Sequence, residues 1–244
     1  LARRGIARVS MPGGCSFGDR PIDLHLRGLE ALGARIELDG GDIIARADRL
    51  QGATIFLGGP FGSTVLGTAN VMSAATLANG KTIIESAACE PEITDLIYCL
   101  RKMGAKIAGE GTSTLHIQGV DRLGGAEHSI IPDRIEAATF MIAVCICGGR
   151  ITLNNIIPDH LTIIINQLRK VGATITVNKD SLTIISPKTI KPIAITTNPY
   201  PGFPFGCELQ STASLTARTT RSHLTNMLPL ASTSGLNPLI SVIN

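Results

Sequence analysis

The chain has 244 residues, a formal net charge of +3, 44% hydrophobic and 17% charged residues, and no Trp. That composition supports a large core and excludes a disordered chain; the scattered basic residues exclude a nucleic-acid face with its basic stripe and stacking aromatics. The longest apolar run, residues 140–147, is far short of the roughly 20 residues that cross a bilayer, and no N-terminal segment has the basic-then-apolar layout of a signal peptide. The chain opens at Leu1 rather than Met, so it is expected to be a piece of something longer.

The first informative stretch is Pro12-Gly13-Gly14-Cys15-Ser16-Phe17-Gly18-Asp19-Arg20-Pro21. Its glycines let backbone N–H groups approach a ligand closely. A thiol beside an arginine and ahead of a helix start ionises or gives up its proton more readily than a buried one. Arg20 in that place reads as a phosphate or carboxylate clamp. On residue type alone Cys15 is an incidental loop thiol and Arg20 a surface cation; the neighbourhood favours the chemical reading. Asp23 and Leu24 open the helix that follows. Its apolar face is Ile22, His25, Leu26, Leu29 and Leu32, with His25 expected as a satisfied core or boundary residue without a catalytic role.

A second loop, Gly58-Gly59-Pro60-Phe61-Gly62-Ser63-Thr64-Val65-Leu66-Gly67, leads into a helix expected over residues 70–79. It lacks the Gly-Lys-Ser/Thr ending of an ATP-type loop. It is either a plain connection or, as a flexible loop feeding a helix N-terminus, a diphosphate cradle. Glu90, Glu92 and Asp95 cluster at the next helix start, where acidic residues mostly complement the helix dipole. Asp133-Arg134-Ile135-Glu136 has the shape of a capping box; preceded by Pro132, it marks a candidate domain boundary.

Three segments share one ending. Leu-Glu-Ala-Leu-Gly-Ala-Arg-Ile at 29–36 recurs as Leu-Arg-Lys-Met-Gly-Ala-Lys-Ile at 100–107 and Leu-Arg-Lys-Val-Gly-Ala-Thr-Ile at 168–175, with Gly33, Gly104 and Gly172 spaced 71 and 68 residues apart. Each predicts a helix stopped by a glycine and followed by a strand. The helical faces also superpose: Ile93, Leu96, Ile97, Leu100 and Met103 match Leu161, Ile164, Ile165, Leu168 and Val171. Upstream lie Ala-rich helices, expected over 70–79 and 135–147, which give way to strands at 81–85 and 150–153. Paired strands are expected at 35–38 with 43–47 and at 106–108 with 115–118. The repeating unit is helix, strand, helix, then strands, with a period near 70, so the chain is read as a tandem α/β array of compact subdomains. The six cysteines, at 15, 89, 99, 145, 147 and 207, form no C-x-x-C pair. No metal site is expected, and a reducing compartment fits a chain with this much core.

Taken together, Pro12-Gly13-Gly14-Cys15, Gly18, Arg20-Pro21-Ile22-Asp23-Leu24-His25, Glu90-Pro91-Glu92-Ile93-x-Asp95, Pro132-Asp133-Arg134-Ile135-Glu136 and Pro199-Tyr200-Pro201-Gly202-Phe203-Pro204 resemble, in order and spacing, the UDP-N-acetylglucosamine 1-carboxyvinyltransferases of the enolpyruvyl transferase family. The resemblance runs from about Leu1 to Pro204. It implies an α/β fold, an inside-out α/β barrel built from repeated βαβαββ units and incomplete in this chain. Residues 1–132 would be most of a first domain and residues 133–204 the first unit of a second. The implied reaction passes the enolpyruvyl group of phosphoenolpyruvate to the 3′-hydroxyl of UDP-N-acetylglucosamine, by addition and then elimination with release of phosphate, as the committed step of peptidoglycan synthesis in the cytoplasm. Cys15 would be the proton donor and the thiol that fosfomycin alkylates. Arg20 would bind phosphate and carboxylate groups; Arg20, Pro21, Ile22, Asp23 and Leu24 would line the UDP-sugar site. Gly62, Ser63, Thr64 and Val65 would contact the nucleotide. The expected partners are these two small molecules alone, with no cofactor, metal, nucleic acid, membrane or obligate protein partner. The shikimate-pathway enolpyruvyl transferase shares the fold and lacks the Gly-Gly-Cys loop.

The chain also departs from that pattern. A lysine–asparagine pair that engages both substrates in the family would precede Leu1. The family's general-base aspartate would follow Phe203-Pro204-Thr, where this chain reads Phe205 and Gly206. Residues 205–244 contain 12 Ser or Thr and three charged residues, with no 70-residue repeat. This divergent tail is read as out-of-frame or otherwise unrelated sequence, or alternatively as a disordered functional tail. The expectation is therefore of a parent transferase whose fragment does not turn over by itself. A catalytically silent remnant and a weak UDP-sugar binding module are the alternatives.

Overall fold

The computed structural model describes residues 1–11, 22–60 and 62–204, with the backbone of a two-residue strand at 224–225. It opens with β1 (Ile6–Ser10), α1 (Asp23–Ala31), β2 (Arg35–Asp39) and β3 (Asp42–Arg46), whose strands form an antiparallel sheet in the order β1-β3-β2. The next unit is complete: β4 (Thr54–Phe56), a tight hairpin of β5 (Gly58–Gly59) and β6 (Gly62–Ser63), α2 (Val65–Ala75), β7 (Lys81–Glu85), α3 (Pro91–Lys102), β8 (Lys106–Ala108) and β9 (Thr114–Gln118). Its sheet runs β4-β7-β9-β8, with β4 parallel to β7 and the other pairs antiparallel. The third unit has α4 (Arg134–Cys147), β10 (Arg150–Asn154), a 3₁₀ turn at Pro158–Leu161, α5 (Thr162–Val171), β11 (Thr174–Val177) and β12 (Ser181–Ile185), in the sheet order β10-β12-β11. Finally β13 (Ile195–Thr196) pairs in parallel with β14 (Leu224–Thr225).

The repeat is written into the backbone. Gly33, Gly104 and Gly172 all take positive φ, at 90°, 103° and 111°. At each, the glycine N–H bonds the carbonyl three residues back and the following alanine N–H bonds the one five back: Gly33 to Glu30 and Ala34 to Leu29, Gly104 to Arg101 and Ala105 to Leu100, Gly172 to Arg169 and Ala173 to Leu168. This is the paired-bond helix stop that favours glycine, because a Cβ is strained at positive φ. A second device recurs in two units. Arg101 Nε donates to the Ile107 carbonyl at 2.8 Å and Arg169 Nη2 to the Ile175 carbonyl at 3.0 Å, each tying a helix end to its next strand.

Two hydrophobic cores result. One gathers residues from Leu32 to Ile117, with Leu57, Met72, Ile84, Ile97 and Ile117 sealed at its centre. The other runs from Ala137 to Phe203, around Met141, Ile164, Leu182 and Ile184. Helices α1 and α2 meet at Gly28, where a Cβ would stand 2.3 Å from Val71 Cγ2 and 3.3 Å from Leu57 Cδ2. The α3 and α5 faces are buried or half-buried as their spacing requires, whereas α1 buries only Gly28 within the helix and Leu32 at its end.

Two expectations need correcting. The Ala-rich helix begins at Val65 rather than near residue 70, because Thr64 caps it and Gly67 lies inside its first turn. The cradle loop is correspondingly shorter and is a hairpin. Strands β1, β4 and the hairpin strands β5 and β6 carry no sequence expectation: β4, β5 and β6 are only two or three residues long, and β1 is almost wholly exposed, with no buried face to set a period. Among the described residues no helix is long and apolar enough to cross a membrane, and no group of three or more His, Cys, Asp or Glu could hold a metal ion.

Candidate functional site

Four helix starts are linked by contacts along one seam, two of them through the β5–β6 hairpin. At the first, Ile22 precedes α1 and Asp23 and Leu24 form its opening turn, with Asp23 exposed and Leu24 half-buried. A Cβ on Gly59 of the hairpin would lie 3.2 Å from Leu24 Cδ1, so the hairpin rests on the start of α1. The hairpin pairs Gly58 with Ser63 and Gly59 with Gly62. Thr64 then caps α2: its Oγ1 accepts the Gly67 N–H at 3.1 Å, and its carbonyl accepts both the N–H and the hydroxyl of Thr68. Gly67 permits this fold-over, since a Cβ there would stand 2.3 Å from Thr64 Cγ2. The N–H groups of Val65 and Leu66 have no intrahelical carbonyl to bond, as in any first helical turn, and the N-terminal end of the helix dipole favours an anion there. Val65 packs its side chain against the first core. Only its backbone end is therefore suited to a ligand. The hydroxyl of fully buried Thr68 accepts the Ala88 N–H at 3.0 Å, tying α2 to the segment that enters α3.

The second pair of helix starts meets across the two cores. The acidic cluster does not cap α3: Glu90 occupies the cap position without a side-chain capping bond. Each acid instead reaches out to a different partner. Glu92 takes Arg134, the first residue of α4, through Nε at 2.8 Å and Nη2 at 3.3 Å. Asp95 takes His128 Nε2 at 2.9 Å, with both side chains nearly buried. Glu90 Oε1 accepts the Tyr200 N–H at 3.4 Å. Arg134 also lies over the Tyr200 ring, 5.3 Å from its centroid. Asp133 does cap α4, accepting the N–H groups of Ile135 and Glu136. Next to Tyr200, Pro199 meets the hairpin: a Cβ on Gly62, whose φ is 96°, would stand 2.9 Å from Pro199 Cγ.

The structure thus brings Leu24, Gly62, Ser63 and Thr64 to one seam, with Ile22, Asp23 and Val65 adjoining. Cys15, Arg20 and Pro21 lie outside the described residues. Sequence reasoning missed Glu90, Tyr200 and Arg134 as a linked set, because contacts 110 residues apart leave no local period. The Pro-Tyr-Pro-Gly-Phe-Pro string was the available signal. Of the two positions open to His25, core or boundary, it takes the boundary: half-buried, with Nδ1 accepting from Asn70 Nδ2 at 2.9 Å. Burial lowers its pKa, partly opposed by the Asp23 charge. Cys89, beside Glu90, has its thiol pKa raised by burial and by the Glu90 charge. It is held as the thiol and is a poor nucleophile or acid.

Sequence comparison decides the family. The model of the family described as EPSP synthase (3-phosphoshikimate 1-carboxyvinyltransferase) matches residues 1–227. The chain belongs to this family. The match passes Pro204, where the motif resemblance stops, and takes in β14. One family member, the UDP-N-acetylglucosamine 1-carboxyvinyltransferase of Akkermansia muciniphila, is 49% identical over 216 residues, covering 87% of this chain and 51% of the relative. The chain therefore spans about half the length of this curated relative. Among solved structures of the family's fold, the enolpyruvyl transferase NikO from Streptomyces tendae superposes with a TM-score of 0.73 at 22% identity, over 86% of this chain and 51% of that one. An EPSP synthase from Acinetobacter baumannii superposes with a TM-score of 0.54 at 22% identity, over 79% and 45%. These structures establish the enolpyruvyl transferase fold.

Proposed function

We propose that this chain carries the acid-bearing part of a UDP-N-acetylglucosamine enolpyruvyl transferase. The observation that carries the reading is the 49% identity to a relative of that name, joined to a Gly-Gly-Cys loop that the shikimate-pathway enzyme lacks. In this reading the substrates are phosphoenolpyruvate and UDP-N-acetylglucosamine, and the 3′-hydroxyl of the sugar adds to the enolpyruvyl carbon while an acid protonates the adjacent methylene. Elimination of phosphate from the tetrahedral intermediate, with loss of a proton from the newly formed methyl group, then restores the double bond. Cys15 is the acid, and Arg20 holds phosphate and carboxylate charge. Residues 20–24 and the hairpin through Val65 form the wall on which the nucleotide lies, with the open N–H groups at the start of α2 facing its diphosphate. Residues 1–132 and 133–204 belong to separate domains that close over the substrates. The product enters peptidoglycan synthesis in the cytoplasm, and Cys15 is the thiol that fosfomycin modifies.

Turnover needs a base at the 3′-hydroxyl, and Phe205 and Gly206 stand where the family pattern places Thr-Asp. General-base catalysis is typically worth ~10²–10⁴-fold, and a half-built cleft forfeits positioning as well. The chain alone is therefore expected not to complete the transfer. Phosphate release from the two substrates tests this directly. The purified chain is expected to stay at background; release that disappears in Cys15→Ser would contradict the inactive-fragment reading while confirming the acid.

A further inference from the structure

We infer that Glu90 is a positioning residue that sets one wall of the proposed cleft by fixing the turn at residues 198–203 of the second core against the glycine hairpin of the first. The turn is closed on itself by Asn198 N–H to the Phe203 carbonyl at 3.1 Å and Gly202 N–H to the Pro199 carbonyl at 2.8 Å. It is anchored in the second core by Phe203, which is 4% exposed. Its tip crosses to the first core at two points, Pro199 against Gly62 and Tyr200 N–H on Glu90 Oε1. Arg134 braces the same tip from the Tyr200 ring and is itself held by Glu92.

Glu90 is an unexpected residue for a purely structural tie. It is 7% exposed, and its Oε2 is buried without a hydrogen-bond partner among the described residues. A desolvated carboxylate with one oxygen unpaired works against folding. A neutral acceptor would hold the Tyr200 N–H equally well at less cost. The tie therefore works through the acceptor oxygen rather than the charge, at a point between a helix start and the Gly62 contact. Because Glu90 meets Tyr200 and not the reacting groups, its effect on ligand runs through the turn. If the turn swings away from Gly62, the hairpin loses the surface that holds it in its ligand-binding shape.

The inference rests on the UDP-sugar reading for its ligand, but its geometry can be tested without one. Amide hydrogen exchange at Tyr200 is measured in the 244-residue chain and in Glu90→Ala and Glu90→Gln. Exchange at Tyr200 is expected to rise at least tenfold in Glu90→Ala and to be restored in Glu90→Gln, with Ile97 and Ile165 in the two cores unchanged. Equal exchange at Tyr200 in the chain and in Glu90→Ala would overturn the inference, as would a rise shared by both cores, which marks general destabilisation. In the second arm, UDP-N-acetylglucosamine is expected to slow Tyr200 exchange in the unsubstituted chain. Its affinity should fall at least tenfold in Glu90→Ala and less than threefold in Glu90→Gln. Unchanged affinity in Glu90→Ala would overturn the link to the ligand. No response of the unsubstituted chain to the UDP-sugar would instead remove the ligand reading and leave the role of Glu90 in holding the turn intact.

Discussion

Thr64 shows how one side chain can serve both helix and site. By capping α2 through the Gly67 N–H it orders the turn whose remaining N–H groups are open to an anion. Thr64→Ala is expected to cost about 1 kcal/mol of stability, read as a lowered urea midpoint, and to weaken UDP-sugar binding with it. Glu110 is a residue of the opposite kind, remote from the seam. Its carboxylate receives Arg101 Nη1 and Nη2 at 2.8 and 2.6 Å. This bidentate Arg101 bond, helped by backbone N–H bonding, brings its pKa from 4.5 down to about 2. A depressed folded-state pKa means the stabilisation is complete above the unfolded value and is lost as pH falls. The contribution of Glu110 should therefore fade between about pH 4.5 and 2. In an acid titration of stability, Glu110→Gln should flatten that part of the profile. A third of each side chain remains exposed, so the effect is modest and shrinks with added salt.

Helix ends were legible in the residues because a glycine in the left-handed region and a following alanine leave a fixed local signature, repeated three times. Helix starts were less so. Gly67 looked like one more loop glycine, yet it sits within α2 because Thr64 folds over it. The acids at the start of α3 looked like complements to its dipole; their partners, Tyr200, Arg134 and His128, come from distant parts of the chain and leave no period to read. Packing between elements was hidden for the same reason. Gly28 gives no sign in the sequence that Val71 lies against it. Gly28→Ala is expected to push α1 off α2 and cost about 1–3 kcal/mol as overpacking, although alanine is the better helix former. A more stable Gly28→Ala variant in thermal unfolding would show that the two helices can separate without loss.

Among the described residues, two cores are joined by few contacts, several of them beside the proposed ligand seam. The segment after β9 is fastened along α3 by His128 on Asp95, by Lys102 Nζ on the Glu127 carbonyl and by Gly124 N–H on the Met103 carbonyl. Beyond it, Arg134 and Glu90 hold the second core to the first. Arg134→Ala removes the Glu92 pair and the Tyr200 stack together. It is expected to cost about 1 kcal/mol, since Glu92 is half-exposed, and to separate the unfolding of the two cores in a denaturant titration followed at Ile97 and Ile165. The repeat was readable from residues alone. The seam was not, because it depends on where units 70 residues apart come to rest.

The most direct test of the ligand assignment is a calorimetric titration of the chain with UDP-N-acetylglucosamine, with 3-phosphoshikimate as the competing candidate. Saturable heat with the UDP-sugar, absent in Arg20→Ala, and none with 3-phosphoshikimate is the expected result. Saturable binding of 3-phosphoshikimate with no response to UDP-N-acetylglucosamine would contradict it.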